Sequence, residues 1–411
     1  MRRLLSGEFT SIGTLLILLG MATSCVKQSE KSGEEGVQLL EIGKEAVAME
    51  QGFDEGVSGA FAGQVGEWLV WGGGCNFPSD HPSAKRFYQS IYATRASDKG
   101  EREVMALGTL SVPSGYGASL ISKDGASLYL VGGTDGVSAR KEIYRVSLVD
   151  GAPELELLPT ALPFGWYEGG AALVGDTLYL AGGWRGEETG VEPLLRLTKV
   201  VLSTGESSAT LPLPEGARIQ PVLFNSCGSL YLFGGFRPAN GEEPPYMQAK
   251  GYRLSLEAQL PEWKVVANEP TITLSSGSRK LLFVGSAVSC DPSNGTVYLA
   301  GGVDWDIFQS ALDREYREGQ ARRATEPDEQ LLAQFDEARK VYLSQSPEAY
   351  RFMPALLKFN PQSDEWEVVA EEPAFATAGA VLSVKGGMAY LVGGELKPRL
   401  RTPNIWYLKI K

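Results

Sequence analysis

The groups best suited to chemistry in this 411-residue chain fall at one recurring place, directly after a pair of glycines that ends an apolar run. Those places hold Asn76, Asp135, Arg185, Arg237, Asp304 with Asp306, and Glu395 with Lys397, Arg399 and Arg401. Arginines suit a bound carboxylate because the planar guanidinium donates two parallel hydrogen bonds, and a carboxylate among them can move a proton. Taken singly, each is what a solvated loop carries. Their shared place in the pattern sets them apart. Other constellations are thinner. His81, the only histidine, lies in a turn-rich stretch and reads as a surface residue, with no strained G-x-S-x-G turn behind it. Asp304-Trp305-Asp306 has carboxylates at suggestive spacing but lacks the rest of a calcium loop. Trp166, Tyr167 and Trp184 could stack on a sugar ring, although packing is the commoner use. One histidine and four cysteines exclude a multi-His zinc site and a disulfide-built scaffold within one chain. No metal and no cofactor is expected.

The elements that must position these groups repeat. Leu69-Val70-Trp71-Gly72-Gly73-Gly74, Tyr129 to Gly133, Tyr179 to Gly183, Tyr231 to Gly235, Tyr298 to Gly302 and Tyr390 to Gly394 are six apolar strands, each ending in a diglycine. The closing glycines are 59, 50, 52, 67 and 92 residues apart, near the roughly 50-residue kelch period with insertions. A strand near the axis of a propeller is covered on both faces and should be apolar throughout. Small-residue strands precede three of these (Tyr167 to Val174, Val284 to Ser289, Thr377 to Val384), and others follow (Glu142 to Leu148, Leu356 to Asn360, Asn404 to Ile410). The near-duplicates at 261–270 and 364–373 read as fourth strands.

The last set lacks a fourth strand, while Val37 to Ile42 is an orphan at the other end. Their pairing would leave no open edge. The expected fold is therefore all-β, a six-bladed kelch-type β-propeller spanning 37–411, its ring closed by an N-terminal strand. The widest interval carries a helical insert, 305–353, in the loop between the second and third strands of the fifth blade. Within it Thr325-Glu326-Pro327-Asp328 reads as a cap, Leu331, Phe335, Ala338 and Tyr342 recur at helical spacing, and Ser346-Pro347-Glu348 looks like a second start. A lid over the channel mouth and a rim or dimer contact are equally compatible with it.

Composition excludes other classes. The 43% hydrophobic content is too high for a disordered chain, and a net charge of −12 gives no cationic face for nucleic acid. Arg2 and Arg3, the apolar run Ile12 to Met21 and Ala22-Thr23-Ser24-Cys25 form a signal peptide, 1–24, too short to span a bilayer. Ala-Thr-Ser-Cys resembles the bacterial lipobox, which implies lipidation of Cys25, a polar tether over 25–36, and residence in the periplasm or outer membrane, attached through that anchor. Cys75, Cys227 and Cys290 allow one disulfide at most and are expected to be buried free thiols.

Gly73-Gly74-Cys75-Asn76-Phe77-Pro78, Gly301 to Phe308 opening the helical insert, and Gly393-Gly394-Glu395-Leu396-Lys397-Pro398-Arg399-Leu400-Arg401-Thr402 together resemble the kelch-repeat N-acetylneuraminate epimerases, or sialic acid mutarotases, over about 56–411. The likeness is to the cyclically permuted branch, in which the blade with GG-x-N-F-P comes first. The resemblance implies an isomerase that interconverts the anomers of N-acetylneuraminate or a related sialic acid, with Glu395 as proton acceptor and Arg401 in the active site. Asn76, Arg185, Arg237, Asp304 and Lys397 are the candidate substrate-binding groups. Ring opening and closure need only a positioned base and acid. The alternative is a non-catalytic propeller binding a glycan or protein on the same face. Copper-dependent sugar oxidation would need more imidazole than one histidine provides.

Overall fold

The computed structural model describes residues 36–40, 49–95, 104–187 and 190–410. The leader, Cys25 and residues 25–35 lie outside the described residues, as do Glu41 and Ile42 of the orphan strand. Among the described residues the fold is all-β with two helices, and its main strands pair antiparallel in six four-stranded sheets, with smaller two- and three-stranded sheets beside them. In chain order, the first strands of these sheets are Phe61–Val65, Ala118–Ile121, Gly170–Val174, Val222–Ser226, Ala287–Cys290 and Val381–Lys385. The strands before the diglycines come second: Trp68–Gly72, Ser127–Val131, Thr177–Ala181, Ser229–Phe233, Val297–Ala300 and Met388–Val392. In the sixth sheet the fourth place is taken by Gln38–Leu39, where Gln38 pairs with Tyr407 and Leu39 with Trp406. Expected fourth strands are present at Lys264–Ala267 and Glu365–Glu371.

Each first strand touches the first strand of the next sheet, and the sixth touches the first. The core is correspondingly divided. Leu130 and Val146 of the second sheet meet Phe61 and Val70 of the first, and each later sheet meets its successor in the same way. Tyr390 and Val392 of the sixth meet Leu69 and Trp71 of the first. This explains the unbroken apolar character of the second strands, which are covered on both faces. They are not the strands nearest the cavity, as the sequence pattern suggested: the small-residue first strands line it. Small side chains there leave room at the centre, where six strands converge.

The diglycines have a specific steric cause. The first glycine of each pair is left-handed, with φ between 60° and 68°, and a Cβ there would fall 2.2–2.7 Å from a carbonyl oxygen leading into the next sheet. Only glycine accepts both conditions. The neighbouring N–H uses the close approach: Gly74 donates to Ser114, Gly133 to Trp166, Gly183 to Arg218, Gly302 to Thr377 and Gly394 to Val57, at 2.7–2.8 Å. The last of these links the sixth sheet to the chain entering the first.

Two helices, α1 (Trp305–Arg323) and α2 (Glu329–Ser344), lie between the second and third strands of the fifth sheet, where the insert is expected. Asp328 caps α2, accepting from the N–H groups of Gln330 and Leu331. Pro347 opens only a short 3-10 turn, Pro347–Tyr350. The carboxylate of Glu318 holds the helices together by taking Arg322 from α1 and Arg339 from α2. Among the described residues the cysteines are free, but only Cys75 is buried; Cys227 and Cys290 are exposed, contrary to expectation.

Candidate active site

The first strands, the loops that follow the diglycines and the inner faces of α1 and α2 enclose a cavity of about 750 Å³. Glu395, Arg399 and Arg401 enter it from a two-stranded hairpin, Glu395–Lys397 paired with Leu400–Arg401. The hairpin is anchored because the N–H of Glu395 donates to Ala378 O and that of Ala378 donates back to Glu395 O. Arg399 turns it with a φ of 70°. Across the hairpin Glu395 and Arg401 are register partners, and Nη1 of Arg401 lies 2.6 Å from Oε2 of Glu395. The contact is ionic more than directional, since neither Nε nor Nη1 of Arg401 makes an aligned hydrogen bond within the described structure. Both guanidinium groups stand over the ring of Phe77, each 5.4 Å from its centroid. Burial pushes the Glu395 carboxyl above the ordinary carboxylate range, with Arg401 and then Lys85 pulling it partly back.

The other candidates separate. Asp304 lines the cavity, but its carboxylate caps α1 through the Ile307 N–H at 3.2 Å and takes Arg351 at 2.7 Å and Arg279 at 3.4 Å. It therefore shapes the wall, and Asp304-Trp305-Asp306 is a helix start. Asn76 is buried outside the cavity lining: its Nδ2 donates to Gly52 O and Gly56 O, and Oδ1 accepts from Tyr88 Oη. Arg185 pairs with Glu192 at 2.7 Å and Arg237 with Glu243 at 2.8 Å, on outer hairpins away from the lining. Lys397 donates to Leu343 O and Gln345 O, fastening the end of α2 instead of reaching inward. The expected shared role of these four positions fails because each is already engaged away from the cavity, Asn76 by backbone carbonyls and Tyr88, Arg185 and Arg237 by carboxylates, and Lys397 by carbonyls at the end of α2. His81 is exposed and Trp166 is wholly buried in packing.

The helical insert contributes Ile307, Phe308, Arg314, Tyr342 and Tyr350 to the cavity wall. Burial raises the Tyr342 hydroxyl to about 12, with Tyr350 reinforcing the shift. The insert thus covers part of the site, as a lid would.

The cavity also contains groups with no expectation attached. Two residues before each first strand the chain passes through a left-handed residue: Gly59, Tyr116, Glu168, Gln220, Gly285 and Gly379, with φ from 52° to 69°. All six line the cavity. A belt of backbone hydrogen bonds at 2.7–2.8 Å runs from Tyr116 to Gly59, Glu168 to Tyr116, Gln220 to Glu168, Gly379 to Gly285 and Gly59 to Gly379. Lys85 donates to Tyr116 Oη at 3.1 Å, and Cys75 Sγ donates to the same oxygen at 3.3 Å. Aligning the small-residue first strands would have exposed this position, since each of the six is followed by Gly, Ala, Ser or Pro.

The comparisons with known proteins agree with the motifs. A family model for N-acetylneuraminate epimerase matches residues 159–411, which includes the Glu395–Arg401 hairpin and the insert. N-acetylneuraminate epimerases of Pasteurella multocida (strain Pm70) and Haemophilus influenzae (strain PittEE) are 28% and 30% identical over 243 residues, 59% of this chain and 56% of each relative. The chain thus spans little more than half the length of the curated relatives it matches. The solved structure of YjhT corresponds to 62% of this chain and 65% of its own, at 24% identity and a TM-score of 0.46. With the family model covering well over half of the chain and containing the cavity hairpin, the chain belongs to the N-acetylneuraminate epimerase family.

Proposed function

We propose that this protein is a mutarotase that interconverts the anomers of N-acetylneuraminate or a related sialic acid. The observation that carries the reading is the pairing of a half-buried Glu395 with a buried Arg401 facing a cavity large enough for a sugar acid. Glu395 removes the proton of the anomeric hydroxyl. The bond from the anomeric carbon to the ring oxygen then breaks, that oxygen gains a proton, and the open-chain 2-keto acid closes again on its other face. Arg401, or Arg399 beside it, holds the substrate carboxylate by two parallel hydrogen bonds. A carboxyl raised by burial is a better base near neutral pH than an exposed one. No bond other than that ring C–O bond and O–H bonds is broken, so the protein needs only to place proton carriers.

The six sheets are read as the blades of one six-bladed kelch-type propeller over 37–411. The succession of first-strand contacts and the pairing of Gln38 with Tyr407 support this. A cyclic permutation of blade order is proposed from the place of Gly73-Gly74-Cys75-Asn76-Phe77-Pro78 in the first sheet alone. Export and lipid attachment at Cys25 are proposed from the leader alone; mass spectrometry of the mature N-terminus tests them.

The deciding experiment follows α and β anomer signals by exchange NMR. Purified protein should accelerate their exchange, and Glu395→Gln should lower the rate by about 10²-fold or more with the fold intact. Saturable sugar binding without faster exchange would instead establish the binding-module reading.

A further inference from the structure

We propose that Glu168 is the proton donor of this site, the acid that delivers a proton to the ring oxygen while Glu395 acts as base. The assignment rests on the mutarotase reading. It begins with the belt of left-handed residues. At this position the fifth, sixth and first sheets carry glycine (Gly285, Gly379 and Gly59), whereas the second, third and fourth carry Tyr116, Glu168 and Gln220. At this level of the cavity wall the side from which Glu395 enters thus carries no side chain. The other presents three polar side chains. A left-handed conformation disfavours any residue with a Cβ, and such strain persists where the surrounding structure enforces it and gathers at functional sites. Three consecutive departures from glycine, all at cavity-lining positions, are hard to account for by backbone preference.

Of the three, Glu168 has the environment of an acid held neutral. It is half-buried on the cavity wall, and no ion pair to it is found among the described residues. Gln220 Nε2 donates to its Oε1 at 3.2 Å, and the neighbouring Trp184 side chain favours its anion in the same sense. The titratable groups facing it are Lys85, Tyr116 and Tyr167. Burial outweighs Lys85, Gln220 and Trp184 and raises the carboxyl above its ordinary range. Glu395 is also raised, but has the Arg401 guanidinium in contact at 2.6 Å to favour its anion. Two carboxyls with environments that separate their proton affinities are what acid and base roles require. Lys85 connects the two, for its charge acts on both.

The proton count closes. Glu395 takes the anomeric hydroxyl proton as the C–O ring bond breaks and its electron pair stays on the ring oxygen; Glu168 protonates that oxygen. The keto acid rotates about the bond next to its carbonyl. On closure the attacking hydroxyl returns a proton to Glu168, and Glu395 returns one to the carbonyl oxygen. Both carboxyls end as they began.

The test compares wild-type protein, E168Q, E168G and Y116F by anomer-exchange NMR with N-acetylneuraminate from pH 5 to 9. E168Q should lose about 10²- to 10⁴-fold in kcat with KM within about threefold, and the fall in wild-type kcat as pH rises, when Glu168 loses its proton, should disappear. E168G should lose turnover equally yet melt at a higher temperature, because glycine relaxes the left-handed position. An active wild-type protein with E168Q within threefold of it, or with its alkaline limb retained, would overturn the assignment alone. So would Y116F abolishing turnover while E168Q does not. A wild-type protein that accelerates no exchange would remove the mutarotase reading and this assignment together.

Discussion

Replacing Arg401 by methionine should displace the titration of Glu395 upward while leaving its burial almost unchanged. Arg401 is 3% exposed at its side chain and Glu395 23%, so water screens the pair weakly. With charge centres about 4 Å apart and an effective dielectric near 20, the attraction is about 4 kcal/mol. At about 1.4 kcal/mol per unit that is an upper bound of about 3 pK units, and 1–3 units is the usual range for a carboxylate beside an arginine. Lys85 remains and moderates the change. Glu395 should then hold its proton to higher pH, and the acidic limb of the exchange-rate profile should move up by the same interval. The direct measurement is a carbon-13 NMR titration of the Glu395 carboxyl in labelled wild-type and R401M proteins. A midpoint that moves by less than half a unit would refute the claim that Arg401 sets the charge of Glu395, whatever happens to turnover.

Further perturbations address the scaffold and the second carboxyl. Gly301→Ala should destabilise by at least about 2 kcal/mol in chemical denaturation, since its φ is 68° and the added Cβ would meet Thr377 O at 2.3 Å; a change below 0.5 kcal/mol would contradict the clasp role of the diglycines. Removing residues 1–40 deletes the pairing to Tyr407 and Trp406 and the buried Leu40, which should lower stability by about 2 kcal/mol and promote association through the bared edge, visible by light scattering. Because Glu168 holds its proton more tightly in the folded than in the unfolded chain, its contribution is fully present below the ordinary carboxyl range and is lost as pH rises through its folded value. Relative to wild type, E168Q should therefore gain stability from pH 4 to 8 in urea melts. Lys397→Ala should speed amide exchange in α2 while the sheets keep their protection, because only the end of that helix loses its fastening.

The repeat was legible because its causes are local. An apolar strand covered on both faces and a glycine pair that cannot tolerate a Cβ both leave marks in the residues themselves. So did the place of the insert, although Asp304 as a helix cap went unrecognised when it was read for its charge. The fourth place of the sixth sheet was legible too, since a missing strand at one end and an orphan at the other require each other. Which charged residues face inward was decided by the folded chain. Asn76, Arg185, Arg237 and Lys397 share a place in the repeat with Glu395, but the folded chain ties them to backbone carbonyls or to carboxylates outside the cavity lining. Glu168, by contrast, lies between Trp166-Tyr167 and Gly169-Gly170, where nothing in the residue types marks it as an acid. Its exposure to the cavity follows from a left-handed backbone that six converging strands impose, and its raised proton affinity from a desolvation that no residue type carries by itself. Sequence thus set the spacing of strands and glycines, because those depend on neighbours along the chain; the pairing of carboxyls across the centre depends on residues more than two hundred positions apart, and only the tertiary structure brings them to one cavity.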